Sequence, residues 1–289
     1  MKKNILLLLI MAVFAPALAQ SKKQPEIGIA ESMSYDSLMA ASGYRYMVES
    51  VGKLISPKSV SEEQFEKNVQ LIKALNTPLY AVNIFMPGDM KLVGPEVNEQ
   101  AILSYAEEVF KRCNRIDVRL IVWGSGGARR VPEGFDHAKA KDQFITIARK
   151  VAVVAKKYNI LFALENLNST ETNFITTVAE ALEVVKKVDH PNFRLCADIY
   201  HMLKENEPAS VILQTKKYLI HCDLAEKENR TPPGTKGDDF KPYLAALKKI
   251  DYRGKIILEC RWQNLSIQAK PALEYLQKEI NTVYTTSYK

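Results

Sequence analysis

At 289 residues the chain fits one large domain, because α/β barrels reach this size without splitting. Its four cysteines are too few, in a domain able to build a full core, to read as a disulfide framework. The formal charge of +7 is a mild excess spread over pairs such as Lys156-Lys157, Lys186-Lys187 and Lys248-Lys249, which reads as solvated helix faces and argues against a nucleic-acid partner.

In chain order, Lys2 and Lys3 precede an apolar stretch over residues 5–14, and Ala17-Leu18-Ala19 supplies a small-residue cleavage pattern. Residues 1–19 therefore read as a secretory signal peptide, leaving a mature domain over residues 20–289 with a charge of +5. The stretch is short for a membrane span, no later segment would span, and no cysteine follows the cleavage site to take a lipid. A periplasmic or secreted protein without a membrane anchor is expected.

The mature chain then alternates strand and helix. Candidate strands begin near Ile27, Tyr44, Leu79, Val118, Leu161, Phe193, Tyr218 and Ile256. Between them lie amphipathic stretches: Phe144, Ile147, Ala148, Val151 and Ala155 mark one apolar helical face, and Phe240, Leu244 and Leu247 another. Thr177 and Glu180 form a capping box for a helix that uses Val178, Leu182 and Val185 and stops before Pro191. Alternation of this kind predicts a parallel sheet with helices outside, and eight units favour closure into a single (β/α)8 TIM barrel. An open doubly wound sheet is the alternative, but no glycine-rich dinucleotide fingerprint follows the first strand. The segment Gly124-Ser-Gly-Gly127 lacks the Lys-Ser/Thr of a phosphate loop and reads as a tight turn, with Arg129 or Arg130 near the mouth. Residues 229–236, with Pro232, Pro233 and Gly234, read as an ordered loop over the barrel top.

Four of the apolar runs close on a polar residue: Glu165, Asp198, His221 and Glu259. Barrel enzymes build their chemistry at the C-terminal strand ends, so this series marks a candidate divalent-metal site. Three carboxylates and an imidazole form a hard, oxygen-rich set that suits manganese, magnesium or cobalt better than a thiolate zinc site. Strand alternation turns Cys222 and Cys260 away from it, toward the outer helices, as buried thiols; a bridge between them is the alternative. Trp123, at a strand end, reads either as a sugar-stacking platform or as barrel packing. His137 and His190 are assigned no role.

The segments Trp123-Gly-Ser-Gly-Gly-Ala-Arg-Arg130, Glu165-Asn-Leu-Asn-Ser-Thr-Glu171 and Asp198-Ile-Tyr-His-Met202, with the His221 strand and Leu258-Glu259, resemble the xylose-isomerase-like barrel superfamily. Within it they are most similar to the sugar isomerase/epimerase branch that includes the ketose 3-epimerases, over nearly all of the mature chain. The resemblance implies that Glu165, Asp198, His221 and Glu259 hold one divalent ion, commonly manganese or cobalt, with magnesium or zinc as alternatives. It implies that Glu171, His201 and Arg230 touch a small sugar or keto-glycoside substrate. One departure stands out: the family places that arginine about six residues after the metal histidine, whereas Arg230 comes nine after His221. A homo-oligomer is compatible with the resemblance.

The expected chemistry is abstraction of a proton beside a sugar carbonyl by Glu165 or Glu259, giving a metal-stabilised enediolate. Return of the proton makes an isomerase or epimerase; loss of a glycosidic oxygen makes a lyase on 3-keto-glycosides. An exported location disfavours phosphorylated sugars. Two further classes compete. A three-zinc abasic-site endonuclease needs more histidines, yet none precedes His137 and Asn229-Arg230 stands where Asp-x-His would be required. A non-catalytic sugar-binding barrel would have no need of two glutamates.

Overall fold

The structure is a computed structural model and describes residues 24–285; the leader read over residues 1–19 lies outside them. Eight parallel strands close into a barrel in sequence order. They are β1 (Glu26–Ala30), β2 (Met47–Ser50), β3 (Leu79–Asn83), β4 (Leu120–Trp123), β5 (Leu161–Glu165), β6 (Phe193–Asp198), β7 (Leu219–Leu224) and β8 (Lys255–Leu258), with β8 pairing back on β1. The expected TIM barrel is thus the fold observed. No helix among the described residues is long and apolar enough to cross a membrane.

Period-two alternation splits the core into two layers. Val48, Ala81, Val122, Ala163, Cys196 and Ile257 fill the lumen, while Ile121, Trp123, Phe162, Leu195, Cys222 and Leu258 pack outward against the helices. The thiols are free, and Cys222 lies in the outer layer as expected.

Two strands start later than the apolar pattern suggests. The helix Asp36–Ser42 ends at Gly43, whose φ is 96°, and the Tyr44 N–H turns back to the Met39 carbonyl at 3.1 Å. Asp117, with φ 56°, ends the helix Glu99–Arg115 in the same way, and the Val118 N–H donates to Cys113 O at 3.1 Å. Tyr44 and Val118 are therefore the apolar residues that close left-handed helix caps, and each strand begins just after them. The capping box at Thr177 and Glu180 opens the helix Val178–Val188 as read from the sequence.

One irregularity bears on the site. Between β6 and β7, Leu195 pairs with Leu219 and Cys196 with His221, so Ile220 is an extra residue in the ladder. The bulge resets the phase of β7. Beyond it, Cys222 and Leu224 join the outer core, and His221 and Asp223 turn toward the lumen.

Candidate active site

Glu165 and Asp198 are the last residues of β5 and β6, and Glu259 follows β8 directly. Glycine at 124 makes room for the first of them, because a Cβ there would collide with Glu165 Oε2. Arg129, fully buried, donates to the backbone oxygens of Glu165 at 2.8 Å and Ile175 at 3.0 Å, so it fastens the end of β5 and does not reach the mouth. Arg130 likewise spends a guanidinium nitrogen on the Glu171 carbonyl at 2.7 Å. Asn166 spans β5 and β6, donating to Asp198 O at 3.2 Å and accepting from Asp198 N at 2.9 Å. Glu165 and Asp198 are therefore aimed by a backbone locked in place.

The acids converge. Glu165, Asp223 and Glu259 each bring an oxygen to within 4.8 Å of the others, and Glu165 and Asp198 do the same with a ring nitrogen of His201. Asp198 caps the helix Ile199–Lys204, which carries His201 on its first turn, so the same short segment supplies an acid and an imidazole. His201 Nε2 lies 3.2 Å from Asp198 Oδ2 and 3.5 Å from Glu165 Oε1, without the geometry of a hydrogen bond to either. It is a fully buried polar atom aimed into the space between the acids.

Arg230 brings the positive charge. Its guanidinium lies 3.2 Å from Asp198 Oδ2, in contact with Glu259 Oε2 and 3.7 Å from Glu171 Oε1, while its Nε donates to Glu259 O at 2.8 Å. The Tyr200 ring supports it from below at 4.7 Å. Asn229 and Arg230 both hold φ of 55°, an uncommon conformation for residues with side chains, which the loop enforces. Buried Glu226 accepts from Thr231 Oγ1 and from the backbone N–H groups of Gly234, Thr235, Lys236 and Gly237, tying that loop to the barrel.

Electrostatics follow from burial and crowding. Burial raises the Glu259 carboxyl to about 8 against the pull of Arg230, and raises Asp198 to about 6 against His201 and Arg230. Burial opposes a charge on His201, but the Asp198 and Glu165 carboxylates outweigh it and lift the ring to about 9. The hydrogen bond from Asn168 Nδ2 to His201 Nδ1, 2.8 Å, works the other way by occupying the lone pair a second proton would need. Both influences leave a proton on Nε2, facing the acids.

Two sequence-predicted residues are placed differently. His221 is not gathered with Glu165, Asp198 and Glu259: β7 runs on to Leu224, so His221 is its third residue and sits deeper in the lumen. There its Nε2 donates to Asp223 Oδ1 at 2.9 Å and its ring stacks on Tyr80. Asp223, two residues on and on the same face, stands at the level of the other carboxylates. Trp123 is no sugar platform; it is fully buried on the outward face of β4, packed against Phe85, Phe144, Phe162 and Phe193. Glu171, His201 and Arg230 do gather at the mouth.

The sequence reading missed Asp223, Asn83, whose Nδ2 donates to Glu259 Oε1 at 2.9 Å, and Asn168. The spacing to Arg230 held a signal for the first: counted from Asp223, Arg230 is seven residues on, close to the six that the resemblance requires.

The acids, His201 and Arg230 form a cluster suited to an oxygen-rich ligand, and several known proteins similar to this chain have such ligands in their names. A family model described as the xylose isomerase-like TIM barrel matches residues 37–283. A D-psicose 3-epimerase from Ruminiclostridium cellulolyticum is 30% identical over 233 residues, covering 75% of this chain and 78% of the relative. An L-ribulose 3-epimerase from Methylomonas is 32% identical over 154 residues, 46% of this chain and 54% of that protein. Among solved structures, a D-psicose 3-epimerase with D-tagatose from Clostridium cellulolyticum superimposes with a TM-score of 0.77 at 22% identity, over 88% of this chain and 99% of that one. With the matched model spanning nearly the whole described barrel, the chain belongs to the xylose isomerase-like TIM barrel family, among relatives that are sugar epimerases and isomerases.

Proposed function

We propose that this chain is an exported, divalent-metal-dependent sugar isomerase or epimerase in which Glu165 and Glu259 exchange a proton with the carbon beside a sugar carbonyl. The observation that carries the reading is the convergence of those two carboxylates, from β5 and β8, on one space lined by further acids. Two glutamates from non-adjacent strands can reach a substrate carbon from different sides, which is what inversion at carbon requires. The names of the relatives support the substrate class, a free ketose, and the leader read over residues 1–19 supports a location where phosphorylated sugars are scarce.

The donor set fits a cation. Crowded carboxylates need positive charge, and the Arg230 guanidinium now occupies part of that role. Glu165, Asp198 and Glu259 would hold the ion. When bound, it supplies Lewis acidity toward the carbonyl and a neighbouring hydroxyl. The protein side groups do the rest. Arg230 and Glu171 at the rim grip hydroxyls at the far end of the sugar. His201 Nε2–H donates to a substrate oxygen. Glu165 or Glu259 takes the proton, and the other returns it.

The test is incubation with a panel of ketoses and 3-keto-glycosides in deuterated water, followed by NMR. Solvent deuterium in a sugar product is the expected result. Release of an aglycone would instead mark elimination from a keto-glycoside, and no change in any sugar would point to a binding protein.

A further inference from the structure

Resting on the metal-dependent reading above, we propose that Asp223 is the fourth cation ligand of this chain and that His221 is its positioning residue, making the ligand set all carboxylate: Glu165, Asp198, Asp223 and Glu259. The bulge at Ile220 and the continuation of β7 to Leu224 put His221 one layer below the strand ends and Asp223 level with them. Only Asp223, of this pair, shares a ligand-sized space with Glu165 and Glu259; His221 shares one with Cys196 and Asp223.

The imidazole is also committed elsewhere. An ionised carboxylate only accepts hydrogen bonds, so the 2.9 Å contact makes His221 Nε2 the donor to Asp223 Oδ1. The Cys196 thiol, 3.3 Å from Asp223 Oδ2, steadies the second oxygen. His221 Nδ1 is buried with no partner, and the ring is held flat against Tyr80 at 5.9 Å and 16°. Turning it up to the acids would break the bond to Asp223 and the stack together. A carboxylate oxygen has lone pairs left for an ion after accepting one hydrogen bond.

A second observation points to a ligand there: the buried His201 Nε2, beside Asp198 and Glu165, has no hydrogen-bond partner. Replacing an imidazole by a carboxylate hardens the site, which favours manganese and magnesium over zinc and cobalt.

The experiment is direct manganese titration of the chelator-stripped, full-length mature protein by electron paramagnetic resonance, with circular dichroism as the check on folding. The wild type should bind one ion and show no nitrogen coupling that depends on His221. Asp223→Asn should weaken binding by more than about 100-fold and His221→Gln, which keeps a donor for Asp223, by no more than about tenfold. Asp223→His should recover binding, with preference moved toward zinc and a new nitrogen coupling. A wild-type nitrogen coupling that disappears in His221→Gln would overturn the assignment, and needs no Asp223 variant to fold. Unaltered binding in Asp223→Asn would sink this assignment alone; a wild type that binds no manganese would take the metal reading down with it.

Discussion

Asn168 donates its Nδ2 to Nδ1 of His201 at 2.8 Å, and that bond decides which ring nitrogen faces the acids. The orientation of the amide is itself fixed, because Asn168 Oδ1 accepts from the Thr170 N–H at 3.0 Å. Removing the amide in Asn168→Ala frees the tautomer, and kcat/KM should drop on the order of tenfold with the fold intact. A double variant with His201→Gln should lose little beyond His201→Gln alone, since both act through one donor. Steady-state kinetics of the four proteins checks this; additive losses would separate the two residues.

Glu165→Gln and Glu259→Gln keep the size of each side chain but remove its basicity. Each should lower turnover by about 10²–10⁴-fold, the range for a positioned acid or base. Wash-in of solvent deuterium should fall in parallel, while the melting profile stays near wild type. Near-normal rates in both would remove them from the chemistry.

Gly124→Ala probes the same carboxylate from behind. The added methyl runs into Glu165 Oε2, a flexible side-chain end that can swing away without disturbing the strand. Activity should fall by a factor comparable to that of Glu165→Gln, with thermal stability little changed. Full activity would show that Glu165 does not need its observed position.

Cation affinity should rise with pH. Burial keeps Glu259 protonated up to about 8 and Asp198 up to about 6 in the cation-free protein, with Arg230 opposing both. An ion takes these groups deprotonated, so binding expels protons, by up to about tenfold in affinity per pH unit for each proton released. Manganese titrations between about pH 6 and about pH 8 should show the climb, levelling above it. Flat affinity across that window contradicts the burial argument.

Trp123→Ala should act on stability alone. Its indole fills the layer between barrel and helices, so truncation should destabilise by about 3–5 kcal/mol in denaturant unfolding, as other large core truncations do. KM of the remaining folded enzyme should hold.

Much of this was readable in advance, for identifiable reasons. The barrel was legible because buried parallel strands are nearly continuous apolar runs, and Ile27, Leu79, Leu161, Phe193 and Ile256 fall at or beside true strand starts. Glu165, Asp198 and Glu259 were legible because each ends such a run. The end of β7 was not legible because the run Tyr218-Leu-Ile-His221 looks finished at its first polar residue, whereas the strand continues through a polar lumen pair that hydropathy cannot distinguish from a loop. The Ile220 bulge, which sets the phase of that pair, has no composition signal at all. Trp123 was ambiguous because a residue at a strand end can serve either the mouth or the packing layer, and only its tertiary neighbours Phe85, Phe144, Phe162 and Phe193 settle which.

The five hydrogen bonds that Glu226 accepts have a consequence for selectivity. A segment already frozen onto the scaffold loses almost no freedom when a guest arrives, so the entropy of ordering is settled at folding. The rim around Arg230 is therefore a rigid template that refuses shapes it does not match, and a guest can enter without reordering it.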